Sequence, residues 1–155
     1  MASNRHLGRI IALQTLYEQE FRMECEDKDF LLKDVLDRNV RRYAEMVDDR
    51  AFIEQLVTGV DAKRSELDTV LQPIAPDWPI EKIARMDRIV LRMGAYELVF
   101  GQDVPPKVVI NEAVELAKAF GGENSSKFVN GVLGTLLRQR DGGESAEKPE
   151  QKETA

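Results

Sequence analysis

Residues 105–137 read PPKVVINEAVELAKAFGGENSSKFVNGVLGTLL, and this stretch decides the fold class. Pro105-Pro106 suit the start of a helix, where a missing N–H costs nothing. Val109, Ile110, Ala113, Leu116, Ala117 and Phe120 then recur at three- and four-residue spacing, the period of one helical face. Gly121-Gly122 end that helix, and Asn124, Ser125 or Ser126 can cap the next. Phe128, Val129, Val132, Leu133, Leu136 and Leu137 carry the same period onward. Val108-Val109-Ile110 is the best strand candidate in the chain, but it is short and runs straight into the helical pattern.

Working outward, the helical period persists. Ile89, Val90, Met93, Tyr96, Leu98 and Phe100 mark a strongly apolar helix with Asp87 near its start and Gly101 at its end. Upstream, QPIAPDWPI is a connection in which Pro73, Pro76 and Pro79 forbid a continuous helix, and Asp77 can cap a short turn there. Tyr43 to Leu71 reads as one long helix, with Met46, Ile53, Leu56, Val57, Val60 and Leu67 on its apolar face. Phe30 to Asn39 suggests another, and Ile10, Leu13, Leu16, Tyr17 and Phe21 mark the first. From Asp141 on, DGGESAEKPEQKETA has too little apolar surface to offset the entropy of ordering, so residues 141–155 read as a disordered acidic tail. The expectation is an all-α protein of about seven helices, with a folded domain over residues 1–140.

The 155 residues carry a formal charge of −6, which at first argues against nucleic acid. Its distribution reverses that inference. Residues 1–23 sum to +1 and residues 81–140 to +2, whereas residues 24–68 hold −5 and the tail −3. No stretch has the roughly 20 apolar residues of a membrane span. One cysteine excludes an internal disulfide and suits a reducing cytoplasm, and one histidine beside it leaves too few ligands for an ordinary zinc site.

Catalytic chemistry is hard to assemble. His6 adjoins Arg5, and Cys25 lies among Glu24, Glu26 and Asp27, a setting that disfavours a thiolate. Glu112 and Glu115 have the spacing of a solvated helical face. GGENSSK lacks the glycine before lysine and the preceding strand of a phosphate loop, leaving only a generic anion-binding helix start. No catalytic residue and no cofactor are expected. Tyr17 and Phe128 each have two readings: core rings, or stacking platforms for RNA bases beside Arg5, His6, Arg9 and Lys127.

VLRMGAYELVF, DVPPKVVINEAVELAKAFGGENSSKFVNGVL and the opening RHLGRIIALQTLYEQE together resemble the NusB family of bacterial transcription antitermination factors, over roughly residues 5–140. The resemblance implies seven helices in two small packed bundles. It implies binding of boxA, a short single-stranded RNA, together with the ribosomal small-subunit protein NusE. RNA polymerase and the other Nus factors would be engaged indirectly, to support processive transcription of ribosomal RNA operons.

Carried over position by position, the resemblance makes Arg5, His6, Arg9, Tyr17, Arg92, Asn124, Ser125, Ser126, Lys127 and Phe128 RNA-facing. It makes Asp87, Arg88 and Arg92 partner-facing. Leu7 and Gly8 interrupt a basic cluster that is denser in many members, which implies fewer phosphate contacts and a shallower salt dependence. The small residues Ala113 and Ala117, and Asn130-Gly131, read as places where helices approach closely. Two other readings stand beside this one. One is a helical adaptor or homodimer that binds protein alone. The other is a free-standing relative of the N-terminal domain of ribosomal RNA cytosine-5 methyltransferases.

Overall fold

A computed structural model describes residues 2–141 other than 76, 78 and 102, with side chains from Arg5 onward. Among the described residues there are seven α-helices and no strand: α1 (Ala2–Glu24), α2 (Leu32–Arg42), α3 (Arg50–Ala62), α4 (Arg64–Leu71), α5 (Arg85–Val99), α6 (Pro106–Gly121) and α7 (Glu123–Arg140). Single 3-10 turns lie at Ala44–Met46, Gln72–Ile74 and Ile80–Lys82. The chain divides into two compact units, one up to Ser65 and one from Glu66.

In the first unit α1 packs against α2 and α3. Ile11, Leu13, Leu16, Val35, Leu36, Ile53, Leu56 and Val57 form its buried apolar core. Polar groups within the packing fix its register. Thr15, fully buried, donates to the Ile11 carbonyl (2.8 Å) and accepts from Asn39 Nδ2 (3.0 Å). Gln19 Nε2 donates to Asp61 (2.7 Å), and Arg64 donates to Gln19 Oε1 (3.1 Å). A slip of one residue would strand these groups without partners, at a cost of about 1–3 kcal/mol each.

The long helix expected from Tyr43 to Leu71 is broken. Asp49 caps a new helix by accepting from the Phe52 amide (3.1 Å), and Met46, assigned by period to an apolar face, lies 64% exposed in a 3-10 turn. An Asp before an apolar run competes for the backbone amides of the first turn, so the helix starts there instead of running through. A second interruption falls at Lys63.

The second unit is organised by α5, buried on nearly every side from Arg88 to Leu98 and packed against α6 and α7. Gln72, rather than Asp77, organises the proline-rich connection: its side chain accepts from the Ile80 amide (2.9 Å) and donates to the Ala75 carbonyl (3.2 Å). Pro76 lies outside the described residues. Gly122 turns the chain between α6 and α7 at φ 106° and ψ −175°, a conformation open essentially to glycine. Gly122 itself stands at the cap position of α7, so Asn124, Ser125 and Ser126 occupy the first turn and none of them caps it. The close approach expected at Gly131 is absent, for nothing lies within 4 Å of its Cβ position. It occurs instead at Gly94, where a Cβ would stand 2.5 Å from Leu133 Cδ1. Past Asp141, the expected tail lies outside the described residues.

An ion-pair chain ties α2 to α3. Lys33 Nζ lies 3.0 Å from Asp37, Arg50 pairs with Asp37, and Arg50 Nε donates to Glu54 (2.6 Å). The Lys33 hydrogen bond, assisted by Arg50, holds the Asp37 carboxyl below its ordinary 3.8. A depressed carboxyl stabilises the fold fully above its unfolded value and loses that contribution as pH falls through the lower folded value. Asp37→Asn is therefore expected to lower the melting temperature at neutral pH, with the difference from the wild type closing in strong acid. Melting curves of the two proteins between pH 7 and about pH 2 check this; a constant difference would show that the charge is not responsible.

Candidate nucleic-acid interface

Arg5, His6, Arg9 and Tyr17 all stand on α1, with Arg5 and Arg9 one turn apart. Arg5 Nε and Nη2 both donate to Asp49 Oδ2 (3.3 and 3.2 Å). Its guanidinium carbon lies 4.3 Å from the centroid of the Phe52 ring, and that of Arg9 lies 5.0 Å from the same centroid. Such cation–π contacts hold a guanidinium in one place without neutralising it. Arg9 is buried (3% exposed), whereas Arg5 is part-exposed. His6 and Tyr17 are half-buried.

Gly8 explains the sparser basic cluster. A Cβ there would meet Ile53 Cγ1 at 3.1 Å and Phe52 Cδ2 at 3.5 Å. The absence of a side chain lets α3 come alongside α1 and bring the Phe52 ring under both arginines. An added side chain at this position would have to displace Ile53, next to the ring that orients the neighbouring arginines.

In the second unit the first turn of α7 presents Asn124 and Lys127 to solvent, with Ser125 and Phe128 half-buried. Ser126 is buried and turned inward, its Oγ donating to the Glu123 carbonyl (2.8 Å). Asp87, at the start of α5, reaches the same corner. A Cβ on Gly121 would lie 2.5 Å from Ser125 Oγ and 3.3 Å from Asp87 Oδ1, so glycine leaves room for both beside the α6–α7 turn. Asp87 Oδ1 is buried with no hydrogen-bond partner among the described residues.

The other two α5 residues singled out by sequence are committed internally. Arg88 is buried and donates through Nη1 to the carbonyls of Ile83 (2.6 Å) and Glu81 (3.3 Å). Arg92 is buried and forms a bidentate pair with Asp68, Nε to Oδ1 at 2.8 Å and Nη2 to Oδ2 at 3.0 Å. The resemblance implied that both face a partner or RNA, but α5 is buried on nearly every side, so their charges are met by carbonyls and a carboxylate inside the unit.

The family model described as "NusB family" matches residues 6–138. The chain belongs to the NusB family. It is 42% identical to the transcription antitermination protein NusB of Chloroflexus aggregans over 139 residues, covering 88% of this chain and 89% of that protein. Its fold matches the T. maritima NusB structure with a TM-score of 0.77 at 31% identity, over 92% of this chain and 96% of that one. It also matches, in fold, the antitermination factor NusB crystallised with NusE and dsRNA, with a TM-score of 0.75 at 24% identity over 90% and 99% of the two chains.

Within this NusB-family fold, sequence reasoning missed Asp49, Phe52 and Asp68, the residues that hold the arginines. For Asp49 a signal existed: an acidic residue just before an apolar periodic run is a helix-start signature. Phe52 and Asp68 carried no local signal, because their partners lie 43 to 47 and 24 residues away in the chain. Removing the Asp68 carboxylate by Asp68→Ala takes the bidentate partner away from the buried Arg92 guanidinium. Unfolding in denaturant should show a loss of about 1–3 kcal/mol, less than for a fully buried pair because Asp68 is part-exposed. Unchanged stability would mean that Arg92 is held by other groups.

Proposed function

We propose that this protein is an RNA-binding transcription antitermination factor that takes up boxA-type single-stranded RNA together with the ribosomal small-subunit protein NusE. In this reading it supports processive transcription of ribosomal RNA operons in the cytoplasm, acting by binding and not by catalysis. The observation that carries the reading is the match, over nearly the whole chain, to relatives named as transcription antitermination proteins. A protein of the same fold crystallised with NusE and dsRNA is in keeping with it.

Each unit contributes its own contacts. From the first come Arg5 and His6, part-exposed at the start of α1, with Arg9 buried beneath and shaping the arm. From the second come Asn124, Ser125, Lys127 and Phe128, with Lys127 supplying an exposed ammonium and Phe128 a part-exposed ring edge. Ser126, Arg88 and Arg92 support these contacts from inside. Tyr17, half-buried, belongs to the wall of the first unit. Asp87 is assigned to NusE: its unsatisfied Oδ1 is the acceptor that a partner's donor would complete, relieving the cost of a buried unpaired oxygen.

With one exposed lysine at the α7 corner and Arg5 as the accessible arginine at the start of α1, phosphate contacts are few, so binding of RNA by this protein alone is expected to be modest. Titration of labelled boxA RNA with and without NusE tests this, and equal affinities would overturn it. Phe128→Ala is expected to weaken RNA binding by ~1–3 kcal/mol if a base stacks on the ring. Circular dichroism separates that outcome from loss of fold, which would make Phe128 a core residue only.

A further inference from the structure

Asp49 divides its carboxylate between two tasks. Oδ1 accepts from the Phe52 amide and closes the start of α3, while Oδ2 receives both Nε and Nη2 of Arg5. Two guanidinium donors meet one anionic oxygen, so the edge of Arg5 that could engage a phosphate is the edge Asp49 already occupies. The side chains of Arg5 and Asp49 are 32% and 37% exposed, so an incoming anion reaches the pair without any unfolding. Phe52 would keep the guanidinium where it is after the carboxylate lets go, because the ring holds it 4.3 Å away and brings no competing charge. The pair also sits in the opening turns of α1, where the helix dipole disfavours an uncompensated cation, so either anion is welcome there.

Resting on the RNA-binding reading above, we propose that Asp49 is an internal phosphate mimic that sets RNA affinity and its salt dependence. RNA gains the Arg5 contact only by exchanging a phosphate for the Asp49 carboxylate. The counterion released from the phosphate is then offset by the cation that the freed carboxylate attracts. Arg5 therefore adds little net affinity and little salt slope, although it is the most accessible arginine of the arm. Because phosphate contacts carry no sequence information, the effect is the same for any single-stranded RNA.

The test uses the full chain as wild type, Asp49→Asn, Arg5→Ala and the double variant, each titrated with boxA RNA and with a scrambled RNA across a range of salt. Asparagine keeps a cap acceptor for the Phe52 amide while removing the charge. Asp49→Asn is expected to bind both RNAs about 5-fold more tightly near 0.1 M salt, with the slope of log K against log salt steeper by about 0.7, as one further phosphate contact on a single strand requires. Both gains should vanish when Arg5→Ala is added. Unchanged or weaker binding by Asp49→Asn overturns the proposal and makes Asp49 a positioning residue. So does a gain that survives Arg5→Ala, or one confined to boxA. If Asp49→Asn melts early, Asp49→Ser, which also caps, repeats the measurement. Wild-type protein that binds neither RNA overturns the RNA-binding reading and this inference with it. Wild-type binding with an unmoved Asp49→Asn overturns this inference alone.

Discussion

The close approach of α1 and α3 at Gly8 governs the first unit. Without a side chain at that position, Ile53 and Phe52 come within van der Waals reach of α1, and every other feature of the basic arm follows. Phe52 slides under Arg5 and Arg9, the helix that carries it must begin just upstream, and Asp49 both begins it and meets Arg5. A side chain at position 8 would press first on Ile53, whose Cγ1 lies 3.1 Å from the Cβ position. The buried pair Thr15–Asn39 and the part-buried pair Gln19–Asp61 then keep α1 in one register against α2 and α3.

The second unit solves a different problem. Its central helix α5 carries two arginines through a buried environment, and each is met by fixed acceptors: carbonyls for Arg88 and the Asp68 carboxylate for Arg92. A buried unpaired charge is costly enough that such partners are structural requirements. At the α6–α7 corner the requirement is conformational. Gly122 adopts a backbone geometry that a side chain would forbid, and Gly121 leaves room beside it for the side chains of Asp87 and Ser125. The polar residues after the turn are thereby set in the first turn of α7, where Lys127 faces outward and Ser126 inward.

The charge distribution gains meaning from this arrangement. Segments of net positive charge lie at both ends of the folded chain, but many of their cations are spent inside the structure. Arg9, Arg88 and Arg92 are buried, and Arg5 is half occupied by Asp49. Net charge by segment counts cations without distinguishing those that hold helices from those that can meet a phosphate. Only side-chain exposure makes that distinction.

Period and punctuation were enough to determine the all-α class, the ends of α6 and its proline start, and most of the apolar faces, with Phe21 and Phe120 at the helix ends lying exposed instead. Those properties are local, set within a turn or two by spacing, proline and glycine. Motif text was enough for the family. Local reading failed where two choices were locally acceptable and a distant partner decided: a close approach at Gly131 or at Gly94, an exposed or a buried Arg92. In each case the deciding atom belongs to another helix: Leu133 for Gly94, Asp68 for Arg92. The fresh start at Asp49 was written locally, in an acidic residue before an apolar run, and was overlooked. The sequence by itself determined which residue types stand on which helix. Only the tertiary structure decided which charges remain available to a ligand, because availability depends on what the neighbouring helix brings against each side chain.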